Sequence, residues 1–212
     1  CIIPSMRGKQ RSRPMDDVQA ELDRLIENGA REINLVSQDT VSYGRDLRTE
    51  GVHLTALVAR LAETPGLHWL RLFYLYPEKL DEGLLELLAQ HPKVLPYVDM
   101  PLQHASDAML MRMRRGHGGE RQRKVVARLR EAVPGLTLRS AFIIGHPGET
   151  DADFEELCEF VRWAEFDRLG LFRYSHEEGT HAGSMEALVD EALIEQRHAT
   201  LMEIQRPISR RK

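Results

Sequence analysis

Leu136-Thr137-Leu138-Arg139-Ser140-Ala141-Phe142-Ile143-Ile144 runs straight into Gly145-His146-Pro147-Gly148-Glu149-Thr150, and the reading of that junction decides the fold. The first segment is mostly apolar and reads as a buried strand. In the second, two glycines and a proline bring the backbone close to whatever lies beyond the strand end. Thr150 is placed to cap a helix running to about Ala164, with Asp151 and Asp153 favourable in its first turn. No Walker spacing is present, and Glu149, Asp151 and Asp153 would repel phosphate, so the loop suits a neutral or cationic ligand.

The same strand-to-helix unit recurs on both sides. Toward the N-terminus, Val18, Leu22, Leu25 and Ile26 share a helical face between Pro14 and Asn28-Gly29, and a short strand follows at 33–37. Leu54, Leu57, Val58 and Leu61 mark a second helix, and 69–76 an aromatic strand. Leu84, Leu85, Leu87 and Leu88 mark a third helix, and 94–100 another strand. A basic helical region is expected over about 106–132, a fifth strand at 169–174, and a tail helix over 186–206 anchored by Val189, Leu193, Leu201 and Ile204 and stopped by Pro207. Alternation of this kind argues a parallel sheet with crossover helices, either an open doubly wound sheet or a barrel. A sixth strand would have to precede Cys1, and a chain opening on Cys rather than Met reads as a fragment.

In parallel βα architectures, ligands lie beyond the carboxyl ends of the strands. Those ends are Ser37-Gln38-Asp39-Thr40, Tyr74-Leu75-Tyr76-Pro77-Glu78, Pro101-Leu102-Gln103-His104, the 145–150 loop, and Tyr174-Ser175-His176-Glu177. Each is polar or rich in Gly and Pro, as a polar small-molecule site requires and as ordinary solvent-facing loops also are.

The 212 residues are 42% hydrophobic and 29% charged, which excludes disorder and leaves enough chain for a real core. No stretch approaches the ~20 apolar residues of a membrane span, and two cysteines make no disulfide framework, so a reducing, cytoplasmic location is expected. A net charge of −4 gives no broad pull toward a polyanion. The arginines and lysine between Arg112 and Arg130 form either a patch for RNA or a ribosomal surface, or a solvated helix face. His176 and His181 are one residue too far apart for a zincin helix, which Gly179 would break. Cys158 falls in register with Phe154, Leu157 and Val161 and reads as core. Cys1 opens a basic loop where a thiolate would be accessible.

Cys1-Ile2-Ile3-Pro4-Ser5-Met6-Arg7-Gly8-Lys9, with Ser12-Arg13-Pro14, resembles the sequence after the last cysteine of the C-x-x-x-C-x-x-C cluster loop in radical S-adenosylmethionine methylthiotransferases. The resemblance continues through Val36-Ser37-Gln38-Asp39-Thr40, Tyr43-Gly44, Pro101-Leu102-Gln103-His104, the 145–150 loop and Tyr174-Ser175. Ser37-Gln38-Asp39 and Gln103-His104-Ala105-Ser106 are similar to the RimO-type branch, which acts on an aspartate of a small-subunit ribosomal protein.

The resemblance implies an α/β fold, a partial (βα)6 TIM-like radical-SAM barrel whose first strand and part of whose cluster loop are missing. Residues 1–185 would be the core and 186–212 a helix leading to an absent β domain. It implies a [4Fe-4S] cluster with Cys1 as one ligand, two clusters in the full-length protein, and S-adenosylmethionine cleaved to a 5′-deoxyadenosyl radical. Gln38, Asp39, Gln103, His104, Ile143, Gly145 and Glu149 match cofactor-binding positions, with Ala141 standing where the adenine motif has its first glycine. Arg139 shares strand parity with Ala141 and Ile143, and either meets the cofactor carboxylate or forms a structural ion pair. Tyr174 either stacks on adenine or fills the barrel mouth. The implied partners are the ribosomal protein, an electron donor and a ribosome or RNA contact through the β domain, with no membrane. A tRNA methylthiotransferase acting on isopentenyl-adenosine and a cluster-less binding or scaffold barrel are the alternatives.

Overall fold

The computed structural model describes residues 6–47, 51–76, 80–116 and 118–212, so the role expected of Cys1 and the strand end at Pro77-Glu78 lie outside the described residues. Two compact units are distinguished: residues 9–100 with 128–137, and residues 101–127 with 138–212 and the short stretch before Lys9.

In the first unit, α1 (Met15–Glu27) follows Pro14, carries Asp16 and Asp17 in its first turn and buries Leu22. Leu25, expected on the apolar face, is exposed. The helix stops where Gly29 takes a φ of 94°, its amide donating to Ile26 O (2.9 Å) while Ala30 donates to Leu25 O (2.9 Å). This paired closure satisfies the last carbonyls and needs glycine at the left-handed position. Then come β1 (Glu32–Leu35), α2 (Leu54–Ala62), β2 (Trp69–Leu72), α3 (Glu82–Gln90) and β3 (Val94–Asp99). β1 pairs with β2, and β2 with β3, all parallel. β1 and β2 are shorter than their apolar runs, and β2 ends before Tyr74, whose φ of 55° turns the backbone out of the ladder.

In the second unit, the expected basic helix is two helices, α4 (Asp107–Arg112) and α5 (Gly119–Ala132). Arg114 sits at φ 55°, its amide donating to Met111 O (3.0 Å) and that of Arg115 to Leu110 O (2.8 Å). A glycine-type helix stop is thus made with arginine, at a backbone cost of about 1 kcal/mol. Gly119 opens α5 because a Cβ there would lie 2.1 Å from Ala105 O.

β4 (Thr137–Ile144) pairs parallel with β5 (Arg168–Arg173), from Arg139 opposite Arg168 to Ile144 opposite Arg173. Along β4, Leu138, Ser140, Phe142 and Ile144 are buried, while Thr137, Arg139, Ala141 and Ile143 line a half-buried face, as strand parity requires. Phe142 meets Phe160 of α6 (Asp151–Ala164) and Phe166 in edge-on contacts, forming the aromatic core of the unit.

The tail helix, α7 (Glu191–Arg211), starts later than expected and runs through Pro207. The stop fails because tertiary bonds hold the last turns. Gln205 donates to Phe166 O (2.7 Å) and to Ser209 Oγ (2.8 Å), Ile208 is buried, and Arg211 pairs with Glu165. The buried stripe is Ile194, Arg197, Leu201, Gln205 and Ile208. Of the expected anchors only Leu201 lies on it, because two of its members are polar.

Candidate functional site

In the first unit, the polar residues after β1 fold back onto the strand ends. Thr40 donates its hydroxyl to Phe73 O (2.6 Å) and its amide to Tyr74 O (3.2 Å). The buried Asp99 accepts from Tyr74 N (3.2 Å) through its carboxylate, and its carbonyl accepts from Leu75 N (2.9 Å). Asp39 accepts the Ser42 hydroxyl, whereas Gln38 is exposed. Ser12 and Tyr43-Gly44 also meet: the Tyr43 hydroxyl donates to Arg13 O (2.7 Å) and Gly44 N to Ser12 Oγ (2.9 Å). Ser12 donates to Asp46 through both amide and hydroxyl, holding that carboxyl below the usual range. The 12–13 segment is therefore seated on the loop after β1.

In the second unit, Gln103 takes a φ of 74° and bridges to β4, donating to Ala141 O (2.9 Å) and accepting from Ile143 N (2.8 Å). His104 is wholly buried. Its Nδ1 accepts from Ser106 N (3.1 Å), which leaves the ring proton on Nε2, 3.7 Å from Glu149 Oε2. The Ser106 hydroxyl donates to Asp153, which also closes a reciprocal cap with Thr150 at the start of α6. Burial would raise the Asp153 pKa, but the bonds from Ser106 and Thr150 outweigh it and hold it low.

Glu149 sits inside the loop it terminates. Its side chain has 0% exposure; Oε2 accepts from Gly145 N (2.9 Å) and Oε1 from Arg197 (2.7 Å). Gly145 has φ 71°, and the space a Cβ would need is filled by Ile194, whose Cδ1 and Cγ1 would lie 2.4 Å away. Glycine is thus required here by the turn and by the packing of Ile194 from α7. Both residues shape the loop from within.

Arg139 and Ile143 lie on the half-buried face of β4. Tyr174 donates its amide to Ile144 O (2.8 Å) and packs edge-on against His146, ring centroids 5.5 Å apart, with its hydroxyl buried and without a hydrogen-bond partner among the described residues. Burial pushes the His146 pKa below its ordinary value, so the ring is neutral at pH 7. Cys158 is buried as expected, its thiol pushed up to about 11. His176 and His181 lie on no helix and line an open cleft of about 510 Å³ with Arg114 and Glu178. Among the described residues, no group of three His, Cys, Asp or Glu could hold a metal ion, and no helix is long and apolar enough to cross a membrane.

Arg197 and His146 carry much of this geometry and were not legible as site residues. The available signal for Arg197 was its place three residues after Ile194 and four before Leu201, a charge on a buried stripe that demands a partner. Part of the basic stretch is paired: Arg123 lies over the Phe160 and Trp163 rings, Arg128 pairs with Glu82, and Lys124 with Glu120.

The model of the Radical SAM superfamily matches residues 1–161, most of the chain. The chain belongs to the radical SAM superfamily. Among curated relatives, the ribosomal protein uS12 methylthiotransferase RimO of Sorangium cellulosum is 60% identical over 100% of this chain and 44% of its own length. The RimO of Geobacter sulfurreducens is 47% identical over 99% of the chain and 46% of its length. This radical SAM chain therefore spans about half the length of the curated relatives it matches. Among solved structures, the radical S-adenosylmethionine methyltransferase TsrM of Kitasatospora setae, with cobalamin and a [4Fe-4S] cluster bound, aligns at a TM-score of 0.64 over 81% of this chain and 33% of that one, at 19% identity. The α/β radical-SAM fold expected from the resemblance is the fold found, with parallel pairing in both units.

Proposed function

We propose that this chain is the cofactor-binding core of a methylthiotransferase acting on the β-carbon of an aspartate in ribosomal protein uS12. The observation that carries the reading is the 60% identity, across the whole chain, to a curated uS12 methylthiotransferase. Membership in the superfamily implies S-adenosylmethionine and a [4Fe-4S] cluster as cofactors. S-adenosylmethionine, when bound, supplies hydrogen abstraction from an unactivated carbon.

The described residues fit that cofactor on one structural ground: the buried Tyr174 hydroxyl is a donor waiting for an acceptor, beside a neutral His146. Tyr174, Gln103, Arg139 and Ile143 are the candidate contacts in the second unit. A ligand carboxylate would suit the Arg139 guanidinium, and adenine the Tyr174 ring. His104, Gly145 and Glu149 act one step back, by fixing the 145–150 loop. The described residues contain no cluster site, and Cys1 is the proposed ligand.

In this reading residues 1–185 form the core and 186–212 lead out of it. The second cluster, the electron donor and any ribosome or RNA contact belong to the complete protein, in the cytoplasm. The test gives the complete gene product uS12 and isopentenyl-modified tRNA under identical reducing conditions, followed by mass spectrometry of both. Methylthio mass on the uS12 aspartate alone is expected; modification of the tRNA alone would replace this reading with the tRNA branch.

A further inference from the structure

Arg197 lies outside residues 1–161, the part matched to the superfamily, yet it is a buried charge of the second unit. Its side chain is 3% exposed. One arm of the guanidinium donates to Glu149 Oε1 (2.7 Å) and to Glu149 O (3.3 Å), the other to Asp151 Oδ1 (2.6 Å), and its plane lies 5.4 Å from the Phe154 ring. Glu149 in turn receives the Gly145 amide, so the guanidinium grips both ends of the loop through one carboxylate. Two further contacts from the same part of the chain close on the loop: Ile194 fills the space beside Gly145, and Ala187 O accepts from Gly148 N (2.7 Å).

A buried carboxylate with 0% exposure is unfavourable unless its charge is met and its lone pairs are used. Here Arg197 meets the charge at Oε1 while the Gly145 amide occupies Oε2. Lysine could meet the charge but could not reach carboxylate, carbonyl and Asp151 at fixed angles. The backbone of 145–149, whose two left-handed glycines give it freedom, is therefore held by the tail segment as well as by the loop's own Glu149.

We infer that Arg197 is a positioning residue for S-adenosylmethionine, holding the Gly145–Thr150 loop in its ligand-receiving shape from the tail helix. The inference rests on the proposed function, since it takes that loop to border the cofactor.

The test measures S-adenosylhomocysteine affinity by calorimetry and amide hydrogen exchange at Gly145 and Gly148, on the reconstituted complete gene product and three variants. Arg197→Met removes the grip, Arg197→Lys keeps charge without the fork, and Arg211→Met breaks a separate, exposed ion pair of the same helix. Arg197→Lys is expected to weaken binding about tenfold and to speed exchange at Gly145 at least as much, with Arg197→Met weaker still. Arg211→Met should match the wild type in both. If Arg197→Met does not fold, Arg197→Lys alone decides. Wild-type affinity in Arg197→Lys, or an equal loss in Arg211→Met, overturns the inference while leaving the function standing. A wild-type chain that binds no S-adenosylhomocysteine overturns both.

Discussion

Replacing Gly145 by alanine adds one methyl group at a place where the structure fixes two separate penalties. The first is conformational: at φ 71° an L-residue crowds its own backbone, at a cost of about 1 kcal/mol. The second is steric. The new Cβ would lie 2.4 Å from both Cδ1 and Cγ1 of Ile194, far inside the ~3.5–4 Å of a comfortable carbon contact. Ile194 is itself buried and three residues from the Arg197 grip, so it cannot simply rotate away, and such overpacking costs ~1–3 kcal/mol. Gly145→Ala is therefore expected to destabilise the chain by roughly 2–4 kcal/mol in guanidinium unfolding. In an Ile194→Ala background the steric part disappears and the same substitution should cost only about 1 kcal/mol. The resulting coupling of ~1–3 kcal/mol is the quantity to measure. An identical cost in the two backgrounds would refute the claim that α7 packing, rather than turn geometry alone, demands glycine.

Two further outcomes follow from the shifted groups. His146 has a folded pKa below its unfolded value of about 6.5, so the unfolded chain binds more protons in that window and stability falls as pH drops through it. Between pH 7 and 5 the wild type should lose stability relative to His146→Phe, which does not titrate; parallel pH profiles would contradict the assignment. Cys158, buried with its thiol at about 11, should take up a thiol reagent at pH 7.5 only beyond the unfolding midpoint, by peptide mapping. Labelling in the native state would show that α6 opens.

The order and type of the elements were legible because apolar spacing alone distinguishes strand from helix in a parallel βα chain, and Thr150 announced its cap through Asp153. The parity argument for Arg139 held for the same reason: one strand, one period. What escaped was set by contacts distant in sequence. Pro207 reads as a stop, but bonds from Gln205 and Ser209 to the 166–167 backbone carry the helix past it. The break between α4 and α5 was hidden because its left-handed residue is Arg114, where glycine is the usual sign. Glu149 and Gly145 read as cofactor-binding positions from the motif and the glycine-rich loop; their contacts with Arg197, 48 residues after Glu149, and with Ile194 come from the tail helix, which local spacing does not announce.

The most direct test of the account is reductive cleavage of S-adenosylmethionine by the anaerobically reconstituted complete gene product, followed as 5′-deoxyadenosine. The wild type should form this product, Cys1→Ala none, and Cys158→Ala as much as the wild type, since that thiol is buried in α6. Undiminished 5′-deoxyadenosine from Cys1→Ala, or none from the wild type, would contradict it.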